Sequence, residues 1–383
     1  MQCQRCGNTN PEYFYKGAKG YYCRRCIRFK RILVEEIISP KIYEVSDGSD
    51  EYALAYELTP AQKHASQELL QQLNLGHDVL LKCVCGAGKT EITVLSISEF
   101  LRAKKKVIYA ISRREVVIEL AKRFKTIFPY ANVATICEGY NESDGDLIVC
   151  TTHQLYRFNK AVDLLILDEV DAYPFKGDEV LINIASNSLK EHGIIVYSTA
   201  TVDETLETFM QKRGYVTVSL NKRPHGYPLI EPQVIYAPKI LLYGMALCKA
   251  IKTKVPLIIF VETKAKAKQL GKIINHFIKT TYVYSDLKER NENIKAFKEG
   301  KYQVIVATSV LERGVTIKGV DVLIINLVHG IFDEASLVQM SGRVGRTFDC
   351  PTGHVWILSN GYKKEICHAF KTIRQANKMS LLW

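Results

Sequence analysis

Cys83-Val84-Cys85-Gly86-Ala87-Gly88-Lys89-Thr90 decides how this chain folds. A short apolar run, Val79-Leu80-Leu81, leads into it, and a segment with helical patterning, Glu91 to Leu101, leaves it. Strand, glycine-rich turn, Lys-Thr and helix is the order of a phosphate-binding loop. Backbone N–H groups at such a turn line a concave anion site, to which the positive end of the helix adds. Gly86 and Gly88 belong to that loop, Lys89 is expected to reach the β- and γ-phosphates of a nucleotide, and Thr90 to hold Mg²⁺ through its hydroxyl. Cys83 stands where the first glycine of the pattern usually sits. Glycine-rich turns also occur by chance, so the rest of the chain must agree.

The chain has 383 residues, which suits two or three domains. Its formal net charge of +12 favours a polyanionic partner. It has no apolar run long enough to span a bilayer and no secretory leader pattern, so the expectation is a soluble cytoplasmic protein. Of 11 cysteines, four lie within the first 26 residues and the others are scattered, mostly in apolar runs such as Leu147-Ile148-Val149-Cys150. That clustering argues for a metal site in a reducing compartment rather than a disulfide framework.

Cys3 and Cys6 form one Cys-x-x-Cys pair, and Cys23 and Cys26 a second. Four thiolates so spaced make a tetrahedral zinc site. Tyr13-Phe14-Tyr15 and Tyr21-Tyr22 read as two short strands between the pairs, the layout of a zinc ribbon. So small a module has little core, and metal binding would supply most of its folding energy. A redox reading fails because no βαβ pattern surrounds either pair. Arg24, Arg25, Arg28, Lys30 and Arg31, mixed with Tyr and Phe, suit a nucleic-acid strand. They equally suit a solvated face or a protein-docking surface. Ser46 to Glu51 reads as a flexible boundary or hairpin tip.

From residue 46 to 220 strands alternate with helices. Thr59 and Pro60 start a helix running toward Leu73. After the loop, strands are expected at 106–111, 133–137, 146–150, 162–167 and 194–197, with a helix at 114–124. Several strands are apolar throughout, as in a parallel sheet covered on both faces. Ligands then bind at the carboxyl ends of the strands. The strand ending at Leu167 delivers Asp168-Glu169-Val170-Asp171 to that edge. Asp168 is expected to hold Mg²⁺ and Glu169 to polarise the attacking water. Ser198-Thr199-Ala200-Thr201 ends a neighbouring strand, where its hydroxyls could link nucleotide state to a second domain.

Asn221 to Pro228 reads as a basic, Pro- and Gly-containing linker, after which the alternation restarts. The second lobe, to residue 383, has no phosphate loop of its own. It carries two polar clusters, Thr308 to Gly314 and Gln339 to Arg346. Arg343 and Arg346, three apart, are expected near one face of a helix and suited to phosphate contacts.

Gln62, Ala87-Gly88-Lys89-Thr90, Asp168-Glu169-Val170-Asp171, Ser198-Thr199-Ala200-Thr201, Glu312-Arg313-Gly314, and Gln339 with Gly342, Arg343, Gly345 and Arg346, in that order, resemble superfamily 2 helicases and translocases over residues 55–360. With the four-cysteine module and Leu311-Glu312-Arg313-Gly314-Val315-Thr316, the chain resembles the ComFA family of late competence ATPases. The resemblance implies two tandem RecA-like α/β domains, 46–220 and 221–383, with parallel sheets, behind a zinc module at 1–45. It implies ATP hydrolysis stimulated by single-stranded DNA, with ATP, Mg²⁺ and Zn²⁺ as cofactors, and uptake of transforming DNA at the inner face of the membrane. It also implies a phosphoribosyltransferase-like ComFC partner, contact with the membrane uptake machinery and scope for oligomers. By the same likeness Gln62 reads adenine, Arg346 is the arginine finger with Arg343 assisting, and Arg113, Thr152 and Thr308 touch the DNA backbone. Cys83 is expected to bear on nucleotide affinity or oxidation sensitivity, and Val170, where many relatives have Ala, to be tolerated. The rival readings are a replication-restart DNA helicase, an RNA-dependent ATPase and a nucleotide-switched binding module without turnover.

Overall fold

The structure, a computed structural model, describes residues 1–36, 44–142, 144–199, 202, 204–313, 317–326 and 330–380. Ala200, Thr201, Gly314, Val315 and Thr316 therefore lie outside the described residues. The chain forms two compact units, one of Met1–Cys83 with Gly88–Leu220, the other of Asn221–Trp383 with Val84–Ala87.

The N-terminal residues fold as a two-stranded antiparallel hairpin, β1 (Phe14–Gly17) and β2 (Gly20–Cys23), between two cysteine knuckles. Its few buried apolar residues are the four cysteines, Phe29 and Ile32, and these join the core of the first unit rather than form their own. Residues 46–51 are also held by that unit. The Ser98 hydroxyl donates to the Asp50 carbonyl, Arg102 pairs with Asp50 at 2.9 Å, and the Ser46 N–H donates to Asp146. This segment is a docked turn, not the flexible tip expected from its polarity.

The rest of the first unit comprises α1 (Pro60–Asn74), β3 (Asp78–Cys83), α2 (Lys89–Arg102), β4 (Val107–Ile111), α3 (Arg114–Ile127), β5 (Val133–Cys137), β6 (Tyr140–Asn141), β7 (Leu147–Thr151), β8 (Val162–Asp168), α4 (Glu179–Ser188), β9 (Leu189–Thr199), α5 (Glu204–Arg213) and β10 (Tyr215–Leu220). The sheet order is β10-β3-β9-β8-β4-β7-β5-β6, parallel except for β6. β4, β5 and β7 are buried at every position, and β8 at all but one. Burial on both faces explains their unbroken apolar runs. The helices α4 and α5 and the edge strand β10 were not expected. β9 starts five residues earlier than its apolar pattern shows, because after buried Leu189 it runs through the polar, exposed Lys190, Glu191 and His192.

The second unit holds β11 (Gln233–Tyr236), α6 (Lys239–Lys252), β12 (Leu257–Phe260), α7 (Lys264–Asn275), β13 (Thr280–Val283), α8 (Arg290–Lys298), β14 (Val304–Ala307), β15 (Asp321–Asn326), α9 (Glu334–Ser341), β16 (Val355–Ser359) and α10 (Lys364–Ser380). Its strands are all parallel, ordered β11-β16-β15-β12-β14-β13. The edge strand β11 was not expected, and its short, partly exposed sequence gives little pattern to read.

Candidate nucleotide-binding and hydrolysis site

Strand register brings the site together. Cys83 pairs with Leu220, Lys82 with Thr199, Asp168 with Ser198 and with Ile111, and Ile111 with Thr151. The parallel strands β10, β3, β9, β8, β4 and β7 thus end level with one another. The segments that follow carry Lys89 and Thr90, Glu169, Arg113 and Thr152 from this one edge.

Gly86 and Gly88 adopt φ of 83° and 86°, a region open to glycine but costly for other residues. At Gly88 a Cβ would also meet Gln62 Nε2 at 2.4 Å, so the loop is closed against α1. Gln62 is buried and its orientation is set by a capping box: its Oε1 accepts from the Thr59 N–H at 3.0 Å, and its own N–H donates to Thr59 Oγ1. Helix α2 starts at Lys89 after Gly88, which has no side chain to cap it. A helix start of this kind binds anions through its first N–H groups.

Asp168 is held from three sides. Tyr109 donates its hydroxyl to Oδ2 at 3.0 Å, Ser198 donates to Oδ1 at 2.8 Å, and the Glu169 N–H donates to Oδ1 at 2.9 Å. The Tyr109 hydroxyl is also within hydrogen-bond reach of Thr90. Thr90 and Asp168 therefore share one neighbour, and their oxygens form a hard donor set that fits Mg²⁺. Burial first, and then the charge of Asp168, hold the Tyr109 phenol well above its ordinary pKa, so it remains a donor. Tyr109 escaped the sequence reading. Its signal was a hydroxyl inside an otherwise apolar strand, which must find a buried partner. Ser198, read above as a link between nucleotide state and the second domain, donates to Asp168 and so orients its carboxylate.

Glu169 has φ of 54°, a left-handed conformation that costs a residue with a Cβ about 1–2 kcal/mol. Such strain gathers where a side chain must be aimed. Val170 and Asp171 are buried behind it. Glu91 was also missed. Buried at the start of α2, it accepts from Tyr56 at 2.5 Å and pairs with Arg123 of α3.

Cys83 is buried, and burial pushes its thiol up to about 12 against a smaller lowering by Lys89. At pH 8 such a thiol is about one part in ten thousand thiolate. Cys83 should therefore resist iodoacetamide in the native protein, while exposed Cys248 reacts. Peptide mapping that found Cys83 modified first would overturn this. Above about pH 9 the unfolded chain releases a proton that the native thiol keeps, so this group's contribution to stability falls as pH rises toward 12.

Of the expected backbone contacts, Arg113 stands immediately before α3, and Thr152 opens a 3₁₀ turn, Thr152–Arg157, with its side chain buried. In the second unit Thr308 follows β14. Arg343 and Arg346 do not lie on a helix as expected. α9 ends at Ser341 with Gly342 as its cap, and Gly345 takes φ of 66° where a Cβ would meet the Pro351 carbonyl at 2.3 Å. The two arginines sit in the turn that these glycines create. Arg343 is buried and donates through Nε to the Glu312 carbonyl at 3.0 Å. Arg346 is partly exposed and donates to the Gly342 carbonyl at 2.7 Å.

Cys3, Cys6, Cys23 and Cys26 converge, with all four sulfurs within 4.8 Å of one another and buried. Cys3 and Cys26 sulfurs are 3.6 Å apart, and Cys6 and Cys23 sulfurs 3.8 Å. Zn–S bonds of 2.3 Å in a tetrahedron require edges of about 3.8 Å, whereas a disulfide requires about 2.0 Å. The donor set fits zinc. Arg25 and Arg28, counted above among candidate strand contacts, instead pair with Glu179 and Asp178 at the start of α4.

Residues 59–209 match the DEAD/DEAH box helicase family, and residues 240–348 match the helicase conserved C-terminal domain. Competence protein ComFA of Streptococcus pneumoniae is 34% identical over 98% of this chain and 90% of its own length. The chain belongs to the ComFA family. Competence protein ComFA of Bacillus subtilis is 30% identical over 99% of this chain and 86% of its own. ComFA membership and both helicase domains make this an ATP-dependent enzyme of helicase type in competence. Two solved structures share the fold. Dbp5 of S. cerevisiae bound to RNA and ADP BeF3 has a TM-score of 0.61 at 16% identity, covering 83% of this chain and 91% of that one. Mycobacterium smegmatis helicase Lhr bound to ssDNA and AMP-PNP has a TM-score of 0.62 at 15% identity, covering 85% of this chain and 48% of that one. Among the described residues no helix is long and apolar enough to cross a membrane.

Proposed function

We propose that this chain is a single-stranded DNA translocase that hydrolyses ATP to draw transforming DNA into the cytoplasm. Likeness to two competence proteins over nearly the whole chain carries the reading. Lys89 and the N–H groups around Gly86 and Gly88 bind the β- and γ-phosphates, and Gln62 reads the adenine. Thr90 and Asp168 would hold Mg²⁺, which would supply charge neutralisation to the phosphates. Tyr109 and Ser198 keep Asp168 aimed at that position. Glu169 accepts the proton of the water that attacks the γ-phosphorus as the bond to ADP breaks. Arg346, with Arg343 assisting, offsets charge that develops on the transferred group. Arg113, Thr152 and Thr308 contact the DNA backbone, so stepping is independent of sequence. Residues 1–45 form the zinc module, 46–220 the ATP-binding domain and 221–383 the second RecA-like domain. The motor works in the cytoplasm, peripherally at the inner face of the membrane, with a ComFC-like partner and the uptake machinery, alone or as an oligomer.

The test is steady-state ATP hydrolysis with no polymer, single-stranded DNA, duplex DNA or RNA. Selective stimulation by single-stranded DNA is expected. Equal stimulation by RNA would favour the RNA-dependent rival, which the RNA-bound state of Dbp5 brings forward. Duplex unwinding as fast as stepping would favour a restart helicase. Binding of ATP without stimulated turnover would leave a nucleotide switch.

A further inference from the structure

The cysteine hairpin is fixed to the first unit by a defined set of contacts. Arg25 pairs with Glu179 at 2.5 Å, Arg28 with Asp178, and Asn187 Nδ2 donates to the Arg5 carbonyl at 2.8 Å. Phe29 is buried against His153 and Tyr156, with ring centroids 5.8 and 5.9 Å away, and the Arg5 guanidinium lies over Tyr156. His153 and Tyr156 belong to the 3₁₀ turn that follows β7, the turn opened by Thr152. The hairpin is therefore seated on the segment assigned above to the DNA backbone.

What this docking leaves outward is aromatic and basic. Tyr13 is 41% and Tyr15 53% exposed. Tyr15 and Tyr22 meet edge to face at 5.6 Å. Arg24 lies over Tyr15 and Arg31 over Tyr22, and neither arginine forms an ion pair among the described residues. From Cys3 to Arg31 the sequence has eight basic residues and one acid, Glu12. Among the described residues, only Arg25 and Arg28 of these pair with carboxylates of the lobe. Exposed tyrosine rings bordered by unpaired guanidinium groups match the two halves of a single strand, bases that stack and phosphates that need charge. A protein partner would need complementary acid, whereas a single strand brings a phosphate with every base that stacks.

We propose that the face formed by Tyr13, Tyr15, Tyr22, Arg24 and Arg31 binds single-stranded DNA and lengthens the path that starts at the motor. Bases stack on Tyr15 and Tyr13, and phosphates lie against Arg24 and Arg31. Arg25, Arg28 and Phe29 act differently: they hold the hairpin in place. This proposal rests on the translocase reading above.

The experiment uses the full zinc-loaded chain and fluorescein-labelled oligothymidylates, one of about 8 nucleotides, within the roughly 4–16 nucleotide site of a single-strand-binding module, and one of about 30, well beyond it. The variants are Tyr13→Ser with Tyr15→Ser, and Arg24→Gln with Arg31→Gln. Zinc content checks that each variant is folded. The expected result is roughly a ten-fold or greater loss of affinity for the long oligonucleotide with little change for the short one. Maximal stimulated ATP turnover should stay unchanged, and more long DNA should be needed to reach it. A bromodeoxyuridine-substituted long strand should crosslink to Tyr13 or Tyr15. Wild-type affinity of both variants at both lengths would overturn the proposal while the translocase reading stands. Equal loss at both lengths would overturn it too, because the face would then not be an extension. If DNA of neither length binds or stimulates the wild type, the translocase reading fails and takes this proposal with it.

Discussion

Glu169→Gln is expected to lower nucleic-acid-stimulated ATP turnover by about 10²–10⁴-fold while nucleotide binding persists. The amide keeps the size of the side chain, and the backbone N–H that donates to Asp168 is untouched. Asp168 also keeps its bonds from Tyr109 and Ser198, so the donors offered to Mg²⁺ do not move. What the amide loses is the ability to take a proton from the attacking water. A fluorescent ATP analogue titrated into wild type and variant should give similar affinities, and phosphate release should separate them. Turnover within ten-fold of wild type would show that another group takes the proton. The left-handed backbone at Glu169 sharpens the test. Glu169→Gly relieves the local strain yet removes the carboxylate, so it should be inactive without being unstable.

Stripping zinc, by chelation or by Cys26→Ser, is expected to unfold residues 1–34 as a unit. Structural zinc binding is worth about 10–16 kcal/mol in small zinc modules, as much as the stability of a whole domain at about 5–15 kcal/mol. The hairpin has no substitute, because its buried apolar residues are the four ligands with Phe29 and Ile32. Limited trypsin digestion should cut at Arg24 and Arg28 in the stripped chain and spare the loaded one. Phe29 and Ile32 are also part of the first unit's core, so thermal stability of that unit should drop. Nucleotide affinity should survive, since Lys89 and Thr90 at the start of α2 and Asp168 at the end of β8 belong to a sheet and helix layer with its own buried residues. Equal protease resistance with and without metal would refute a structural role for zinc.

Much of this is legible in the sequence because it is local. A glycine turn before Lys89-Thr90, two acids after an apolar strand and two Cys-x-x-Cys pairs carry their chemistry within a few residues. The strands 107–111, 133–137 and 162–168 were legible because burial on both faces leaves them mostly apolar, with few polar positions such as Thr135 and Asp163. β10, β11 and the first half of β9 were not, because edge and half-exposed strands mix polar with apolar residues. The helical placement of Arg343 and Arg346 failed because their spacing fits a helix while Gly342 and Gly345 end one.

By itself, the sequence determined the fold class, the phosphate loop, the acidic pair and the four thiol ligands, since each is a pattern of neighbours. Only the tertiary structure decided which residues aim them. Tyr109 reaches Asp168 across 59 positions of sequence, and Arg28 reaches Asp178 across 150. No spacing rule connects such pairs. They meet because parallel strands end level at one edge and because a hairpin too small for its own core must bury Phe29 against a neighbour.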